Sequence, residues 1–446
     1  MLQNIIIKIY KRTMIYSGMI DIKLIRENPD LVKHNIVKRF QAEKTRLVDE
    51  VIEYDKELKR IKSESDTLRH RRNIISEEIN KAKKEKKDVS ALLKEVKNIP
   101  EKIKQHEDTI NHLEEKIKKN LLAIPNILHE SVPSGKDGTE NVELRKWGTI
   151  HKKDFEIINH AELLERLGMA DFDAGRSNAG QGFNYLLGDM ALLDNALQRY
   201  GVDFLVSRGF KLVIPPIMLN FETLSGAVNG IQDFQDIVYK VEDEDLYLIG
   251  TAEHSLVSLY KGRTLSKKDL PMRLCAVTPC FRKEIGAHGV DTKGLFRMHQ
   301  FNKVEQVVYC TPEESFELLE KLQRITEEFF ESLEIPYRVI EICSGDLSAK
   351  FAKQYDIEAW FPRQDKYAEV TSAGSCTDYQ ARHLNIRYTD DKETRYLHIL
   401  NNTMVATSRA MVTIIENYQN ADGSITIPTV LQKYMHGKKK IEKMKN

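Results

Sequence analysis

The sequence predicts an α+β fold in two parts: an N-terminal antiparallel helical coiled-coil arm, then a domain in which helices flank an antiparallel β-sheet. Three observations support this prediction. Two apolar seams with heptad spacing run through residues 41–120, a stretch in which 39 of 80 positions are charged. After Leu122 the composition changes, and proline and glycine become frequent. Beyond that point, short apolar runs alternate with helical stretches.

The two seams are the basis for the arm. The first has alternating spacings of four and three residues and is interrupted only by Ser65 and Arg72, and the second includes His106 as its one polar member. Such a narrow stripe is buried against a partner helix, and the polar segment Lys83–Ser90 between the seams predicts a hairpin of two helices, each roughly 60 Å long. Pro100 is expected to kink or interrupt the second helix. The seam residues are Leu47, Val51, Tyr54, Leu58, Ile61, Leu68, Ile75 and Ile79, then Leu92, Val96, Ile99, Ile103, Ile110, Leu113 and Ile117.

The turn of this hairpin is basic. A lysine run is the ordinary composition of a solvated helix end, and that interpretation stays open. The alternative is a nucleic-acid interface, because lysines and arginines that neutralise phosphates release condensed counterions. The residues concerned are Arg71, Arg72, Lys83, Lys84, Lys86 and Lys87.

Length and composition limit the function. The 446 residues include 68 Lys+Arg and 67 Asp+Glu, and 41% hydrophobic content is typical of a globular chain of two or three domains. No run approaches the roughly 18 apolar residues of a membrane span. Five cysteines without a CxxC pair argue against a disulfide framework and a ribbon-type zinc site. We therefore expect a protein of a reducing compartment, the cytoplasm.

Composition also suggests domain boundaries. Residues 1–18 are basic but are not rich in Arg and Ser as a transit peptide is, so we interpret them as an extension from an overlong reading frame upstream of Met19. The basic tail is expected to be disordered, with RNA contact as the alternative. The expected domains are the helical arm at 19–130, a linker at 131–145, the sheet domain at 146–435 and the tail at 436–446.

Within the sheet domain, apolar runs of strand length occupy residues 211–219, 246–249 and 274–281, and helical stretches occupy 313–332 and 406–418. Neither GxGxxG nor GxxxxGK[ST] occurs in the sequence, which excludes both common nucleotide-binding loops. A nucleotide site in this domain would therefore need another scaffold.

The densest group of chemically useful side chains lies between residues 280 and 305. The pattern predicts two strands joined by a loop that contains Gly286, Gly289 and Gly294. Two arginines and an aromatic ring on one sheet can hold a phosphate and stack a base. The alternative is a surface ladder of salt bridges. On the first strand Arg282 and Glu284 share a face, and on the second Arg297, His299 and Phe301 do.

This segment, FRKEIGAHGVDTKGLFRMHQFNKVE at 281–305, resembles motif 2 of class II aminoacyl-tRNA synthetases, specifically of the seryl-tRNA synthetase family. NNTMVATSR at 401–409 resembles motif 3, FKLVIPP at 210–216 resembles motif 1, and GTAE at 250–253 resembles the serine-specific loop. MIDIKLIRENP at 19–29 is similar to the start of the family, and the helical arm to its tRNA-binding domain. The motifs follow one another in the family's order from Met19 to about Met435.

The resemblance implies a class II catalytic domain and an ATP-dependent serine–tRNA ligase. Such an enzyme activates L-serine with ATP to seryl-adenylate and transfers serine to the 3′ end of serine tRNA, with selenocysteine tRNA as an alternative acceptor. It further implies Mg²⁺ as cofactor, a homodimer formed through motif 1, and recognition of serine tRNA by the arm.

The resemblance also implies roles for individual residues. Arg282 would hold the α-phosphate and Arg409 the γ-phosphate, while Glu284 would receive the adenine amino group and Phe301 would stack on the ring. The main chain of Met298 would contact the base. The implied serine-binding residues are Thr251, Ala252, Glu253, Glu305 and Thr403. The implied ATP-binding residues are Arg282, Lys283, Glu284, Met298, Phe301, Glu369, Val370, Thr371, Ser372 and Arg409, with Glu369 and Ser372 as the Mg²⁺ ligands.

The chain departs from the family pattern at a few positions. It has Ser372-Ala-Gly-Ser375 where the family usually has Ser-Cys-Ser-Asn, His383 where Arg is expected, and Ile285 where Ala is usual. Three alternatives to a seryl-tRNA synthetase are another class II synthetase, a binding protein that keeps the fold without activation, and a carrier-protein aminoacyl ligase. The short sequence after motif 3 argues against another class II synthetase. A binding protein is disfavoured because Arg282, Arg409 and Glu369 are retained. The arm argues against a carrier-protein ligase.

Overall fold

The computed structural model describes residues 20–228, 237–284, 294–390 and 392–443. The expected extension at 1–18 lies outside the described residues, as do Met19, Ile285, Gly286 and Gly289. The chain divides into two compact units. Among the described residues, a helical unit comprises 20–37 and 41–125, and a sheet unit comprises 38–40 and those from Asn126 onwards.

The α-helices are α1 (Ile22–Glu27), α2 (Pro29–Lys38), α3 (Thr45–Lys84), α4 (Ser90–Ala123), α5 (His160–Leu167), α6 (Phe172–Ala179), α7 (Gly188–Val206), α8 (Phe221–Ala227), α9 (Ala252–Ser258), α10 (Ser315–Ser332), α11 (Tyr379–Leu384), α12 (Thr407–Asn417) and α13 (Thr429–Gln432). The strands are β1 (Val142–Trp147), β2 (Ala170–Asp171), β3 (Tyr185–Leu186), β4 (Lys211–Leu212), β5 (Met218–Leu219), β6 (Tyr247–Leu248), β7 (Thr264–Ser266), β8 (Met272–Phe281), β9 (Gln300–Cys310), β10 (Tyr337–Glu341), β11 (Lys353–Phe361), β12 (Lys366–Ser375), β13 (Arg387–Thr389), β14 (Thr394–Tyr396), β15 (His398–Ala406), β16 (Ile425–Thr426) and β17 (Lys440–Ile441).

The helical unit contains the predicted hairpin, formed by α3 and α4. Its seam is buried at Val51, Leu58, Ile61, Ile75 and Ile79 of α3, and at Ile99, Ile103, Leu113 and Ile117 of α4. Ion pairs flank the seam, such as the pair between Arg71 and Glu95 (2.8 Å). The helix α4 continues through Pro100, so the expected interruption does not occur.

The turn between α3 and α4 carries the basic residues. Lys86 has a positive φ of 54°, which reverses the chain, and the carboxylate of Asp88 accepts a hydrogen bond from the Ser90 N–H (2.9 Å) at the start of α4. The side chains of Arg72, Lys83, Lys84, Lys86 and Lys87 are exposed here, whereas Arg71 is half-buried in its pair with Glu95.

The sheet unit contains an eight-stranded sheet in the order β1-β10-β11-β12-β15-β9-β8-β4. All its neighbours are antiparallel except β4, which runs parallel to β8. The helices α7 and α12 pack against β9, and α10 packs against β12 and β15. The α+β prediction is therefore confirmed.

Most of the predicted elements form. The stretches 274–281, 313–332 and 406–418 correspond to β8, α10 and α12. The run 211–219 instead forms two short strands, β4 and β5, because Pro215 and Pro216 lie between them and cannot donate to a ladder.

All five cysteines are free thiols buried in the sheet unit. Burial raises the pKa of Cys275 to about 11 and that of Cys310 to about 12. Neither thiol therefore has thiolate character at neutral pH.

Two regions differ from their expected description. In the tail, β17 pairs with β16 and Ile441 is buried, so the expectation of disorder is wrong for this segment. In the expected linker at 131–145, β1 already begins at Val142 and pairs with β10. Among the described residues, no helix is long and apolar enough to cross a membrane.

Candidate functional site

The site is built around the end of the β8–β9 hairpin. The strands pair antiparallel with Cys280 opposite Phe301, and the Arg282 N–H donates to the carbonyl of His299 (3.0 Å) just beyond the ladder. The Arg282 Nε donates to the carbonyl of Gly250 (3.2 Å), and the guanidinium lies 5.4 Å from the centre of the Phe301 ring. An arginine that was predicted on one strand thus joins the hairpin to the 250–253 loop.

Two cavities open beside this arginine. The larger has a volume of about 470 Å³ and is lined by residues of β9, β12, β15, α9 and the segment before β11. The smaller has a volume of about 50 Å³ and is bounded by Phe296, Met298, Phe301 and Arg409 among others. The two share wall residues, so they adjoin each other. The shared residues are Arg282, Glu284, Lys303, Glu369 and Thr403.

Glu305 lies at the centre of a buried polar cluster. Its Oε1 accepts hydrogen bonds from Thr251 Oγ1 (2.9 Å) and Thr403 Oγ1 (3.0 Å) and forms an ion pair with Lys303. Lys303 Nζ also donates to Thr403 Oγ1 (3.2 Å). Strand alternation brings Lys303 and Glu305 to one face of β9, and Thr403 opposes Glu305 from β15.

Glu253 at the start of α9 is the second buried carboxylate. Its Oε1 accepts from Lys350 Nζ (2.5 Å), from Gln380 Nε2 (3.0 Å) and from Asn401 Nδ2 (3.4 Å). Burial by itself raises the pKa of Glu253, but the charge of Lys350 and its hydrogen bond hold that pKa below its usual value. The carboxylate is therefore ionised at neutral pH.

A third carboxylate group lies across the cavity on β11 and β12. Arg409 Nη1 donates to the carbonyl of Glu369 (2.9 Å) and lies 3.3 Å from its Oε2. Ser372 pairs with Asp356 across the strands, and Gln354 Nε2 donates to both side chains (3.0 Å each). Burial and the charge of Glu369 raise the pKa of Asp356 to about 8.

The structure brings together most of the residues singled out in the sequence. Thr251, Glu253, Glu305, Thr403, Arg282, Glu284, Met298, Phe301, Glu369, Val370, Thr371, Ser372 and Arg409 line one cavity or the other. Ala252 is buried in α9 and Lys283 lies beside Tyr239, and neither of these two residues belongs to the lining. The basic arm residues belong to the helical unit.

Sequence reasoning missed several members of the site. Lys303 and Asn401 lie inside the quoted motifs, so their positions between predicted site residues could have identified them. Asp356 and Gln380 gave a weaker signal. Lys350 could not have been found from the sequence. It is a lone lysine ahead of β11, and its partner, a buried carboxylate of α9, lies about a hundred residues away in the sequence.

The chain is similar to known proteins over most of its length. A model of the tRNA synthetase class II core domain (G, H, P, S and T) matches residues 239–418, and a model of the seryl-tRNA synthetase N-terminal domain matches residues 19–128. The serine–tRNA ligase of Methanocella arvoryzae is 49% identical over 422 residues, which cover 94% of this chain and 99% of that protein.

Solved structures are similar over nearly the same length. The crystal structure of seryl-tRNA synthetase from Pyrococcus horikoshii complexed with ATP has a TM-score of 0.89 and 47% identity, and the match covers 96% of this chain and all of that one. The cytoplasmic serine–tRNA ligase from Naegleria fowleri in complex with AMP has a TM-score of 0.84 and 33% identity, covering 96% of this chain and 99% of that one.

Proposed function

This chain belongs to the seryl-tRNA synthetase family of class II enzymes, and from that premise we propose how its cavity carries out the reaction. As a serine–tRNA ligase, it condenses L-serine with ATP to seryl-adenylate and then transfers serine to the 3′ end of serine tRNA. The observation that supports this assignment best is the pair of adjoining cavities, in which a polar cluster suited to an amino acid lies next to a pocket with two arginines and an aromatic ring.

In the first step, the serine carboxylate attacks the α-phosphorus of ATP, an acyl–phosphate bond forms, and pyrophosphate leaves with the electrons of the broken anhydride bond. Two anions must approach each other, so positive charge is needed more than an acid or a base. Arg282 is assigned to the α-phosphate, because its guanidinium lies at the junction of the two cavities. Arg409 is assigned to the γ-phosphate, while Phe301 stacks on adenine and Glu284 receives its amino group.

Serine recognition is assigned to the cluster around the two buried glutamates. An ammonium prefers a carboxylate, and Glu253 and Glu305 each have Oε1 occupied by three donors. Among the described residues no donor to either Oε2 is recorded, which leaves these atoms for the substrate. Thr403 is assigned to the serine hydroxyl. A buried site built to bond a hydroxyl discriminates against alanine by orders of magnitude.

Magnesium is assigned to Glu369 and Ser372, whose oxygens line the same cavity wall. The donor set, a carboxylate and a hydroxyl oxygen, fits a hard cation. When bound, Mg²⁺ would supply neutralisation of phosphate charge. Among the described residues no group of three or more His, Cys, Asp or Glu side chains is arranged to hold a metal, so phosphate and water oxygens would complete its coordination.

Recognition of tRNA is assigned to the exposed lysines and arginines at the hairpin turn. Lys83, Lys84, Lys86 and Arg72 have no recorded anionic partner among the described residues, so their charge is available to a phosphate backbone. The pairing of Arg71 with Glu95 makes this arginine a weaker contributor than its neighbours.

A homodimer through motif 1 is part of the proposal. The motif exposes an apolar surface: Ile214 is 94% exposed, and Val206, Leu212 and Met218 are exposed around it. We expect the intact chain to sediment as a dimer at micromolar concentration and Ile214→Glu to sediment as a monomer. Val142→Glu, a charge placed on another exposed apolar residue, is the control. A monomeric parent chain would contradict the proposal.

Serine-dependent exchange of pyrophosphate into ATP tests the function itself. We expect exchange with serine and at least a hundredfold less with threonine or alanine at equal concentration. Charging of serine tRNA is then measured with the same preparation. Exchange that required a different amino acid would overturn the assignment to serine, and binding of ATP without any exchange would favour a protein that has lost activation.

A further inference from the structure

Lys350 lies in the wall of the larger cavity, where the family resemblance assigns no residue. Its side chain is buried, with only 8% of the residue exposed, and its Nζ lies 2.5 Å from Glu253 Oε1. Glu253 is one of the two carboxylates available to the ammonium of serine. A protein ammonium thus occupies one oxygen of a carboxylate that the proposed function assigns to the substrate's ammonium.

The segment around Lys350 is held in place by hydrogen bonds to its main-chain carbonyls. The buried guanidinium of Arg39 donates to the carbonyls of Leu347 (3.2 Å), Ser348 (3.3 Å) and Phe351 (2.6 Å). Asn126 donates from its side chain to the Lys350 carbonyl (2.9 Å) and from its N–H to the Ala349 carbonyl (2.8 Å). These bonds fix the backbone of the segment, and the contact with Glu253 Oε1 places the Lys350 ammonium.

The neighbouring Phe351 explains part of the departure from the family pattern at 372–375. A Cβ built on Gly374 would lie 2.4 Å from two atoms of the Phe351 ring, so with the ring in this position residue 374 must be glycine. The ring in turn lies 4.8 Å from Lys350 Nζ. Gly374, Phe351 and Lys350 therefore form a continuous series of contacts from β12 to Glu253.

From this geometry we propose that Lys350 is a positioning residue of the serine site: its ammonium pairs with Glu253 Oε1 and orients the carboxylate, so that Glu253 Oε2 receives the ammonium of serine. The inference rests on the proposed function, since it concerns the same pocket. Lys350 acts through Glu253 and is not itself assigned to the reacting atoms.

The other groups around Glu253 cannot replace this charge. Gln380 and Asn401 are neutral donors. His254 stays neutral, because burial lowers its pKa to about 3. Lys303 is already paired with Glu305, Arg282 is engaged with the carbonyl of Gly250, and Cys376 is a buried thiol. Without Lys350, burial would favour the protonated form of Glu253, which cannot pair with an ammonium.

The test is the pH dependence of KM for serine in pyrophosphate exchange between pH 6 and 8.5. We expect an almost constant KM for the parent chain. In Lys350→Met we expect KM to be raised at least tenfold at pH 6 and to fall with rising pH, by up to about tenfold per pH unit, as Glu253 loses its proton. The kcat at saturating serine should change less than about threefold. Lys350→Arg, which keeps the charge, should restore the flat profile.

Two further variants separate this role from a structural one. Lys353→Met removes a lysine that contacts Ser131 Oγ (2.9 Å) outside the cavity, and it should leave KM unchanged at every pH. Gly374→Ala keeps every charge but displaces Phe351, and it should give a weaker version of the pH-dependent KM. A KM in folded Lys350→Met that is unchanged, or raised by one factor at all pH values, would overturn the inference. A parent chain without serine-dependent exchange would instead overturn the proposed function.

Discussion

At the scale of single residues, His254 shows how the cavity avoids proton chemistry. Burial lowers the pKa of His254 to about 3, although the adjacent carboxylate of Glu253 acts to raise it. The imidazole is therefore neutral from pH 5 upwards, and it cannot serve as a general acid near neutral pH. The proposed first step instead uses the positive charges of Arg282 and Arg409.

Replacing Arg282 by alanine should be the most damaging single change to activation. One preorganised contact to a phosphate contributes a few kcal/mol, so serine-dependent pyrophosphate exchange should fall by about 10²–10³. Arg395→Ala, which removes an arginine paired with Glu313 (2.8 Å), serves as the control and should retain full exchange. Exchange within threefold of the parent chain would remove Arg282 from the site.

Replacing Thr403 by valine removes a hydroxyl while keeping the shape of the side chain. We expect the preference for serine over alanine to fall by at least tenfold, because the serine hydroxyl loses its partner and Glu305 Oε1 loses a donor. The ratio of kcat/KM for the two amino acids is the measurement. Thr413→Val on α12, whose Oγ1 donates to the Ala410 carbonyl (2.8 Å), is the control for loss of a buried hydroxyl, and an equal change there would contradict the assignment.

At the scale of elements, the helices of the arm could be predicted well because their information is local. The heptad seam identified α3 and α4, and the polar segment between them identified the turn. At the start of α3 the predicted seam position, Leu47, is wrong by one residue, because Val48 is the buried side chain there. The strands near residue 211 were predicted less well. Without knowledge of the strand pairing, the sequence does not show whether the two prolines lie within one strand or separate two strands. Lys350 could not be predicted at all, since its contact depends on how α9 and the segment before β11 pack.

The junction of α1 with α3 depends on one buried carboxylate. Asp55, with 3% of its side chain exposed, pairs with Arg26 (2.5 Å) and Lys59 (2.7 Å). Burial raises the pKa of Asp55, but hydrogen bonds from Arg26 and Lys59 prevail and lower it. The lowered pKa means that this contribution to stability is complete above the unfolded-state pKa of about 4 and is lost as the pH falls through the folded-state value.

Asp55→Asn should therefore lower the free energy of unfolding of the helical unit by about 1–3 kcal/mol at pH 7, and the difference from the parent chain should shrink below about pH 4. Hydrogen exchange of the α3 amides is the measurement, because it reports this unit separately. Asp66→Asn, at an exposed i,i+3 pair with Arg69, should change the free energy by less than about 0.5 kcal/mol. Equal effects of the two variants would contradict the argument.

At the scale of the whole molecule, the division into two units predicts that the two chemical steps can be separated. All residues assigned to serine and ATP belong to the sheet unit, and all residues assigned to the tRNA backbone belong to the helical unit. Removing residues 47–117 should spare serine-dependent pyrophosphate exchange within about threefold and nearly abolish charging of serine tRNA. A deletion variant that still charged full-length tRNA would show that the arm serves another purpose.

A milder change tests the same division. Replacing Lys83, Lys84, Lys86 and Lys87 by glutamine should weaken tRNA binding and flatten its salt dependence by up to about one slope unit per lost phosphate contact. The matched control replaces Lys102, Lys104, Lys118 and Lys119, four exposed lysines farther along α4. An equal loss in both sets would mean that the whole helix, and not the turn, carries the interaction.

The placement of the cysteines gives the molecule a built-in reporter. All five thiols are buried in the sheet unit, and the helical unit has no cysteine at all. A thiol reagent can therefore label this chain only when the sheet unit opens, and its labelling rate is unaffected by fraying of the arm. Labelling followed over time would measure how often the catalytic half of the enzyme opens at equilibrium. Comparison of free and ligand-saturated protein would then convert the protection given by serine or ATP directly into a binding free energy.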